Sequence, residues 1–281
     1  MVTDRHSAPA DSLKRRVISA VFMVPAGLLV VWLGGWPLSL AALLCGLGMW
    51  IEVRAVTANQ ISIRSPGLIV GGFGLLIVMW LVTKTSLPDW LPFPILLILA
   101  AGVFGLLKEN APLWSSLALT LVTAAVCGLV EIRSDTQSGF LLTLIIMLCV
   151  WFTDIAAYFA GRGFGGPQLA PKGSPNKTWS GAAGAIICSA LIGALIAGLR
   201  GGNIANWMIF AALVSVIAQL GDLGESYFKR QFNVKDSGSI IPGHGGLLDR
   251  LDSFSAVLIV MGAVILFVPE YLAQFLGIEI R

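Results

Sequence analysis

Long apolar runs separated by short polar segments make up most of this chain. A helix that crosses a bilayer needs about 20 mainly apolar residues and satisfies its backbone polar groups internally. The pattern therefore predicts an all-α, polytopic membrane protein with about nine transmembrane helices. The predicted spans are residues 17–35, 37–55, 67–83, 91–107, 113–130, 139–160, 180–199, 204–225 and 253–275.

The same pattern divides the chain into three parts. We expect an N-terminal tail at 1–16, helices one to five within 17–138, and helices six to nine within 139–281. Two polar segments, 161–179 and 226–252, interrupt the last part, and we expect them to be loops that carry the chemistry. The first span follows a basic stretch without a clear cleavage site, so we expect it to be an uncleaved signal anchor.

Composition supports the membrane class and excludes others. Hydrophobic residues make up 57% of the chain, charged residues make up 12%, and the mean hydropathy is +0.87. A soluble domain is about 25% charged. The net charge of +3 is too small to indicate a nucleic-acid partner. The expected environment is therefore a lipid bilayer.

Lys and Arg are distributed unevenly between the two predicted sides. With a cytosolic N-terminus, 14 of the 18 Lys and Arg fall in cytosolic segments. This bias follows the positive-inside rule, and an even number of spans would break it. We therefore expect the N-terminus and both long polar segments to face the cytosol, as in a protein of the bacterial cytoplasmic (inner) membrane.

The four cysteines each lie inside an apolar run, and none is part of a CxxC pair. They are Cys45, Cys127, Cys149 and Cys188. Small buried core residues explain this placement. We expect neither a disulfide nor a thiolate metal site.

The segment 226–252 is polar and punctuated by glycines between two strongly apolar runs. Its charged residues and histidine are Lys229, Arg230, Lys235, Asp236, His244, Asp249, Arg250 and Asp252. Carboxylates hold hard cations, and Lys and Arg neutralise phosphates. The glycines at 243, 245 and 246 allow a close approach of backbone to ligand, and His244 can donate to a phosphate or exchange a proton near neutral pH. The segment therefore indicates a site for a metal-bound, multiply charged phosphate ligand.

Five carboxylates lie where a membrane protein rarely carries them. Asp154, Asp222 and Glu225 fall near the predicted cytosolic ends of spans six and eight, and Asp249 and Asp252 precede span nine. Charges inside a span are costly and usually face an aqueous cavity or a partner. Asp222 and Glu225 are three residues apart, as are Asp249 and Asp252, so each pair shares a helix face. Their convergence on one membrane face favours a functional site over isolated interfacial charges.

The second polar segment contains three glycines with G-x-G-x-x-G spacing at Gly161, Gly163 and Gly166. An apolar helix precedes them, and no βαβ pattern surrounds them, so a dinucleotide-binding fold is disfavoured. Ammonium groups, hydroxyls and backbone N–H groups of this segment suit phosphate oxygens instead. The side chains concerned are Lys172, Ser174, Lys177, Thr178 and Ser180. A solvated connector with positive-inside lysines is the alternative interpretation.

The residues of 226–252 also carry a family resemblance. They match the pattern S-x-x-K-R, four residues, K-D, then P-x-H-G-G-x-x-D-R-x-D at each fixed position. This pattern is similar to the signature of phosphatidate cytidylyltransferases, the CDP-diacylglycerol synthases. Three further segments, 154–165, 174–181 and 219–226, resemble the same family. Two departures stand out, Ser180 where many relatives have Glu or Gln, and Ile155 where many have Thr.

The resemblance implies transfer of the cytidylyl group of CTP to phosphatidate, with Mg²⁺ as cofactor and pyrophosphate as by-product. It implies metal ligation by Asp222, Asp249 and Asp252, with Lys229 and His244 as further catalytic residues. The implied substrate-binding residues are Ser174, Lys177, Thr178, Ser226, Arg230, Lys235, Asp236, Gly245, Gly246 and Arg250. A second cation is compatible with carboxylates on two helices. The lipid phosphate is itself the nucleophile, so the reaction requires no Ser or Cys nucleophile.

Rival interpretations come from two other classes. Secondary transporters also use intramembrane carboxylates, but their coupling groups lie near the midplane and their halves repeat; the first half of this chain has no counterpart of 226–252. A CTP-dependent polyprenol kinase would transfer the γ-phosphate instead. The D-G-x-x-A-R pattern of CDP-alcohol phosphotransferases is absent. The sequence leaves open a homodimer, the acyl-chain preference, CTP against dCTP, and the role of the first five helices.

Overall fold

The computed structural model describes residues 9–58, 66–84, 92–107, 111–133, 136–171, 173–238, 240–241 and 245–279. Within these ranges the backbone forms ten α-helices and one two-stranded antiparallel sheet. The helices are α1 Pro9–Leu33, α2 Gly35–Ala58, α3 Pro66–Lys84, α4 Pro92–Leu106, α5 Pro112–Arg133, α6 Gln137–Phe164, α7 Trp179–Arg200, α8 Ile204–Gln231, α9 Leu248–Phe267 and α10 Pro269–Leu276. The strands are β1 Gln168–Ala170 and β2 Ser174–Thr178.

The length and apolar composition of the helices are those of helices that cross a bilayer. Six helices in the described ranges are long and apolar enough to cross a membrane, and these lie within α2, α5, α6, α7, α8 and α9. Three shorter apolar helices are Val21–Leu33, Pro66–Met79 and Phe93–Leu106. Helices satisfy their own backbone hydrogen bonds, which lipid cannot do. The chain is therefore an all-α integral membrane protein, as its hydrophobic pattern predicts.

Several predicted boundaries are wrong. The ninth span is not one helix over 253–275, because Pro269 lacks the N–H that would continue α9, and the chain starts α10 there instead. The segment 226–252 is not a loop throughout, since α8 continues to Gln231 and α9 begins at Leu248. Because of these extensions, Lys229 and Arg230 lie on α8, and Asp249, Arg250 and Asp252 lie on α9, rather than in a loop.

The segment 161–179 also differs from the predicted loop. Helix α6 continues to Phe164, and β1 and β2 then pair as a hairpin with Gln168 opposite Thr178. Proline and glycine in this stretch favour turns, but they do not prevent a short hairpin between the turns.

Helix α1 begins inside the predicted tail 1–16. Its first residue is Pro9, whose missing N–H costs nothing in the first helical turn. The residues that follow include good helix formers such as Leu, Lys and Arg. Residues 9–16 of the predicted tail and the first apolar run therefore share one helix.

Two large apolar cores, together with a small third core between α1, α2 and α6, hold the described helices together. One lies among α5 to α10 and includes the fully buried Ile146, Trp207 and Val257. The other lies mainly among α2 to α5 and includes Trp50 and Phe104, whose rings stack with centroids 6.0 Å apart. Side chains from α8 and α9 also enter the second core. The last helices are therefore packed against the first half of the chain.

Helices α5 and α9 approach each other through glycine. A Cβ atom added to Gly262 would lie 2.8 Å from the Cα of Gly128, which is closer than real Cβ atoms approach. A Cβ added to Gly128 would meet the backbone carbonyl of Leu258. Small residues permit such backbone contact between membrane helices. This contact sets the distance of α9 from α5.

A buried arginine, Arg133, lies at the end of the bundle that is opposite the first turn of α9. The Nε atom of Arg133, at the end of α5, donates to the carbonyl of Val31 at 2.6 Å. Its guanidinium lies 5.4 Å from the ring centroid of Phe140 on α6. Arg133 also fills the space beside Gly34, which has a positive φ of 62°. The α1–α2 turn is therefore tied to α5 and α6.

Gly128→Ala is expected to destabilise the protein because its methyl group would press against the backbone of α9. Overpacking of this kind costs about 1–3 kcal/mol, so the thermal unfolding midpoint in detergent should fall. Gly102→Ala on α4 is the matched control, because a Cβ there meets no atom within 4 Å. Equal midpoints for the two variants would contradict the close α5–α9 contact.

Candidate active site

The last turns of α8 and the first turns of α9 carry a cluster of charged side chains. Asp222, Glu225 and Lys229 lie at i, i+3 and i+7 on α8, so they share one face of the helix. Asp249 and Asp252 lie on the first turn and the second turn of α9. The two helices therefore bring acidic groups from separate parts of the sequence together.

Lys229 lies between two carboxylates. Its Nζ atom is 2.7 Å from Oε2 of Glu225 and 2.8 Å from Oδ1 of Asp249. The three side chains are only 8–11% exposed. A buried ammonium is tolerated when carboxylates compensate its charge. The ion pair between Lys229 and Asp249 joins α8 to α9.

Backbone donors also hold Asp249. Both of its carboxylate oxygens lie 3.1 Å from the N–H nitrogen of Ser237, and Gly246 donates to Oδ2 at 2.9 Å. Asp249 thus folds the polar segment back over the start of α9. Its oxygens already accept from Lys229, Ser237 and Gly246 in this structure.

A second ion pair joins the β hairpin to α8. Lys177, on β2, pairs with Asp222. The charge of Asp222 acts on Asp154 on α6 and on Asp252 on α9, and the charge of Lys177 acts on both of them as well. The structure therefore brings three carboxylates from α6, α8 and α9 near Lys177.

Gly221 explains the close approach of α8 to α9 at this point. A Cβ on Gly221 would lie 3.0 Å from the carbonyl oxygen of Asp252 and 3.4 Å from the Cα of Ser253. A larger residue would separate the helices and move Asp222 away from Asp252. The small residue is therefore part of the site's construction.

The hydroxyls of the second polar segment serve local structure. Thr178 caps α7, its Oγ1 accepting from the N–H of Gly181 at 3.1 Å, and lies 3.0 Å from the hydroxyl of Ser180. Ser180 donates to the carbonyl of Gly165 at the end of α6. Ser174 is half-buried and pairs with Ala170 in the hairpin. These contacts hold Lys177 in place beside α8.

The remaining predicted site residues lie at the edge of the cluster. Lys235 and Asp236 are exposed, Ser226 is half-buried, and exposed Arg230 donates to the carbonyl of Val234 at 2.7 Å. Arg250 is exposed on α9 and its charge acts on Asp154. Gly245 has a positive φ of 83°, and buried Gly246 donates to Asp249. His244 and Lys172 lie outside the described residues.

Glu52 on α2 reaches the same region, although sequence reasoning did not select it. It is 2% exposed and accepts hydrogen bonds from the backbone N–H groups of Leu247 and Leu248 at 2.8 and 2.7 Å. The hydroxyl of Ser237 donates to it at 3.1 Å. The signal available in the sequence was a carboxylate inside an otherwise apolar span, the same signal that singled out Asp154.

An apolar cavity of about 330 Å³ lies beside the charged cluster. Side chains of α2, α5, α8 and α9 line it, and its two acidic lining residues are Glu225 and Asp252. Trp114 of α5 lies in its wall and packs against Phe228 with ring centroids 5.9 Å apart. The arrangement can hold an aliphatic chain with a charged group at its end.

The predicted metal ligands have suitable chemistry for Mg²⁺, which prefers carboxylate oxygens. In the part of the chain that the structure describes, no group of three His, Cys, Asp or Glu side chains is arranged to hold a metal ion. Asp249 accepts from several donors, whereas Asp222 pairs with Lys177 and Asp252 accepts from the N–H of Ser253, so each carboxylate already has a partner.

The balance of charge nevertheless favours a cation. The carboxylates of the cluster are Asp154, Asp222, Glu225, Asp249 and Asp252, and its cations are Lys177, Lys229 and Arg250. The five carboxylates outnumber the three cations by two. Uncompensated charge in a poorly solvated site is costly, and one divalent cation would balance it. The carboxylate oxygens of the cluster are donors of the kind that Mg²⁺ prefers, although the described residues form no ready ligand set for it.

Comparison with known proteins gives consistent matches over most of the chain. The model of the cytidylyltransferase family matches residues 14–268. A phosphatidate cytidylyltransferase of Brucella suis biovar 1 is 35% identical over 259 residues, covering 90% of this chain and 94% of the relative. Proteins of the same name from Haemophilus influenzae and Staphylococcus saprophyticus are 33% and 36% identical, covering 87% and 88% of this chain and 95% and 96% of the relatives.

The family match includes α2, α5, α8 and α9, the helices that build the charged cluster and its apolar cavity. The matches with the relatives also cover 90% and 88% of this chain. The chain belongs to the cytidylyltransferase family.

Proposed function

We propose that this protein transfers the cytidylyl group of CTP to phosphatidate, forming CDP-diacylglycerol for phospholipid biosynthesis. An oxygen of the lipid phosphate attacks the α-phosphorus of CTP, the bond from that phosphorus to the bridging oxygen breaks, and pyrophosphate leaves. Family membership supports the reaction class. The observation that carries the proposal is the charged cluster of α8 and α9 with an apolar cavity directly beside it.

The cations of the site have a direct role in this reaction. Both substrates are anions, so their approach must be compensated before the phosphorus–oxygen bond can form. Lys177 on β2 and Arg250 on α9 both lie near the carboxylates. Their positive charges suit phosphate oxygens. Lys229 instead orients Asp249 through their ion pair. Ser226, Arg230, Lys235, Asp236 and His244 remain proposed contacts of CTP or the lipid phosphate.

The proposed cofactor is Mg²⁺, held by Asp222 and Asp252 with Asp249 as a further ligand. When bound, it would neutralise charge on the phosphates and on departing pyrophosphate. The excess of two carboxylates supports this assignment. A second cation would require further ligands, for which Glu225 and Asp154 are the nearest carboxylates.

The apolar cavity suits the lipid substrate. Its walls from α2 and α5 are apolar, and Glu225 and Asp252 mark its charged edge. A lipid that places an acyl chain here would hold its phosphate beside the carboxylate–cation cluster. This arrangement gives α2 and α5 a role in substrate binding, through Met49 and Val53 of α2 and Trp114 of α5.

We also propose that nine helices cross the membrane, the three shorter apolar helices together with the six long ones. The N-terminus and the charged cluster would then face the cytosol, where CTP is available. The distribution of Lys and Arg supports this orientation. The membrane would be the cytoplasmic (inner) membrane of a bacterium, in line with the bacterial relatives.

Separately labelled CTP tests the reaction. Purified protein in mixed micelles receives phosphatidate, Mg²⁺ and CTP labelled at either the α- or the γ-phosphate. We expect the α label in lipid and the γ label in released pyrophosphate. Entry of the γ label into a lipid acceptor would instead identify a kinase, and folded protein that passes neither label to lipid would favour a transporter.

Asp252→Asn should lower kcat by about 100-fold or more, since loss of one electrostatic group that acts on the transition state has effects of this size. The substitution preserves shape but removes the charge facing Asp222 and the cavity. Glu270→Gln on α10 is the control, because Glu270 is exposed and far from the cluster in the sequence. Wild-type turnover of folded Asp252→Asn at saturating Mg²⁺ would exclude the proposed role.

Gly224→Leu should weaken use of phosphatidate but not of CTP. Gly224 lines the cavity, and a Cβ there meets no atom within 4 Å, so the new side chain enters the cavity without a clash at its base. Occupied space should raise the KM for phosphatidate roughly tenfold, equivalent to about 1.4 kcal/mol. Gly198→Leu on α7 is the matched control, with equally open surroundings outside the cavity. An unchanged KM in Gly224→Leu would argue against this lipid site.

A further inference from the structure

Glu52 lies on α2, yet its carboxylate ends at the first turn of α9. The two helices are separated by almost 200 residues of sequence, and the distance is bridged by direct hydrogen bonds. The side chain is 2% exposed. A buried carboxylate is costly unless donors surround it, so its contacts account for its position.

Each oxygen of Glu52 has a defined donor. Oε1 accepts from the N–H of Leu247 at 2.8 Å, and Oε2 accepts from the N–H of Leu248 at 2.7 Å and from the hydroxyl of Ser237 at 3.1 Å. The N–H groups at the start of a helix have no partner within the helix and carry partial positive charge. Glu52 therefore supplies from α2 the acceptors that α9 lacks at its own N-terminus.

Ser237 connects this contact to the charged cluster. Its hydroxyl donates to Glu52, and its backbone N–H donates to Asp249, which in turn pairs with Lys229. A hydrogen-bonded path thus runs from α2 through the polar segment to α9 and α8. The path involves atoms of Asp249 that the proposed reaction needs in fixed positions.

Two glycines show how tightly the segment is packed around Glu52. A Cβ on Gly238 would lie 2.8 Å from Oε1 of Glu52, and one on Gly246 would lie 2.7 Å from Oε2. The Gly246 Cβ would also lie 3.0 Å from Oδ2 of Asp249. There is no room for side chains at these positions, so the backbone is pressed against both carboxylates.

We propose that Glu52 is a positioning residue that sets the place of Asp249 and Asp252 relative to α8. By holding the first N–H groups of α9, it fixes the position and direction of the first two turns of the helix, which carry the two carboxylates. It also occupies the N-terminus of α9, which would otherwise attract a phosphate, so substrate phosphates must bind elsewhere in the cluster. The catalytic part of this proposal rests on the proposed cytidylyl transfer.

Glu52→Gln separates positioning from bulk packing. The amide has the same shape, but one of its two ends is an NH₂ group, which cannot accept from a backbone N–H. One of the Leu247 and Leu248 contacts must therefore be lost, whichever way the amide is oriented. Small displacements of reacting groups can lower a rate about 100-fold. A local shift of α9 should therefore lower kcat.

The test measures hydrogen exchange and kinetics on the full-length protein in detergent. Without substrate or metal, Glu52→Gln should speed amide exchange in the peptide covering 237–248 while α5 and α7 keep wild-type protection. With substrates, kcat should fall at least tenfold, and KM for CTP should stay within about twofold, since Glu52 contacts no proposed CTP group. Glu52→Asp, which keeps the charge but is shorter, should recover part of the loss.

Thr57→Val is the matched control on the same helix. Thr57 is buried; its hydroxyl donates to the carbonyl of Val53 and accepts from the hydroxyl of Ser115 and from Arg54, so its loss disturbs α2 and α5 without touching α9. Exchange of 237–248 and kcat should stay at wild-type values in this variant. An equal loss of kcat in Thr57→Val would show that any disturbance of α2 suffices, which would overturn the specific role of Glu52.

Two further results would overturn the proposal. The first is unchanged amide hydrogen exchange of residues 237–248 in Glu52→Gln. The second is faster exchange of these residues in Glu52→Gln together with a wild-type kcat. If Glu52→Gln fails to fold, Ser237→Ala decides, because it removes one donor to Glu52 and keeps the backbone donor to Asp249. A folded Ser237→Ala with reduced kcat supports the positioning role, and wild-type kcat opposes it. Failure of the proposed function appears separately, as wild-type protein without cytidylyl transfer.

Discussion

The compensation of buried charge is the constraint on which this structure depends. Inside a helical membrane protein an ionised side chain needs a partner, because neither lipid nor an apolar core solvates it. Here the partners come from different elements: Lys229 joins Glu225 to Asp249, Lys177 joins the hairpin to Asp222, and Glu52 joins α2 to the start of α9. These contacts join helix ends that are far apart in the sequence.

The result is a site with a polar side and an apolar side. Carboxylates and cations of α6, α8, α9 and the hairpin form the polar side, while α2 and α5 enclose the cavity next to it. A reaction between a soluble anion and a lipid anion needs both, since CTP arrives from water and phosphatidate from the bilayer. Gly221 and Gly128 allow the backbone contacts that keep α9 between the two sides.

Local rules predicted part of this arrangement, and long-range contacts account for the rest. Helical spacing placed Asp222 and Glu225 on one face, and the apolar pattern identified each long helix. The reach of Glu52 to α9 could not be read from periodicity, because it depends on how distant helices pack. The hairpin was missed because its prolines and glycines also suit a loop, and the break at Pro269 was missed because the surrounding residues are apolar throughout. The family signature located Asp249, Lys229 and Gly246 but not the hydrogen bonds between them, nor the donor Ser237.

The most direct test of the account asks whether the carboxylates of α8 and α9 hold the cation that meets the phosphates of CTP. Mn²⁺, which accepts the same carboxylate oxygens as Mg²⁺, is added to the protein in nanodiscs together with a non-cleavable CTP analogue. Pulsed EPR then measures the coupling between Mn²⁺ and phosphorus. The account predicts a protein-bound Mn²⁺ with phosphorus coupling that disappears in Asp222→Asn and persists in Glu270→Gln. The same coupling in wild type, Asp222→Asn and Asp252→Asn would contradict it.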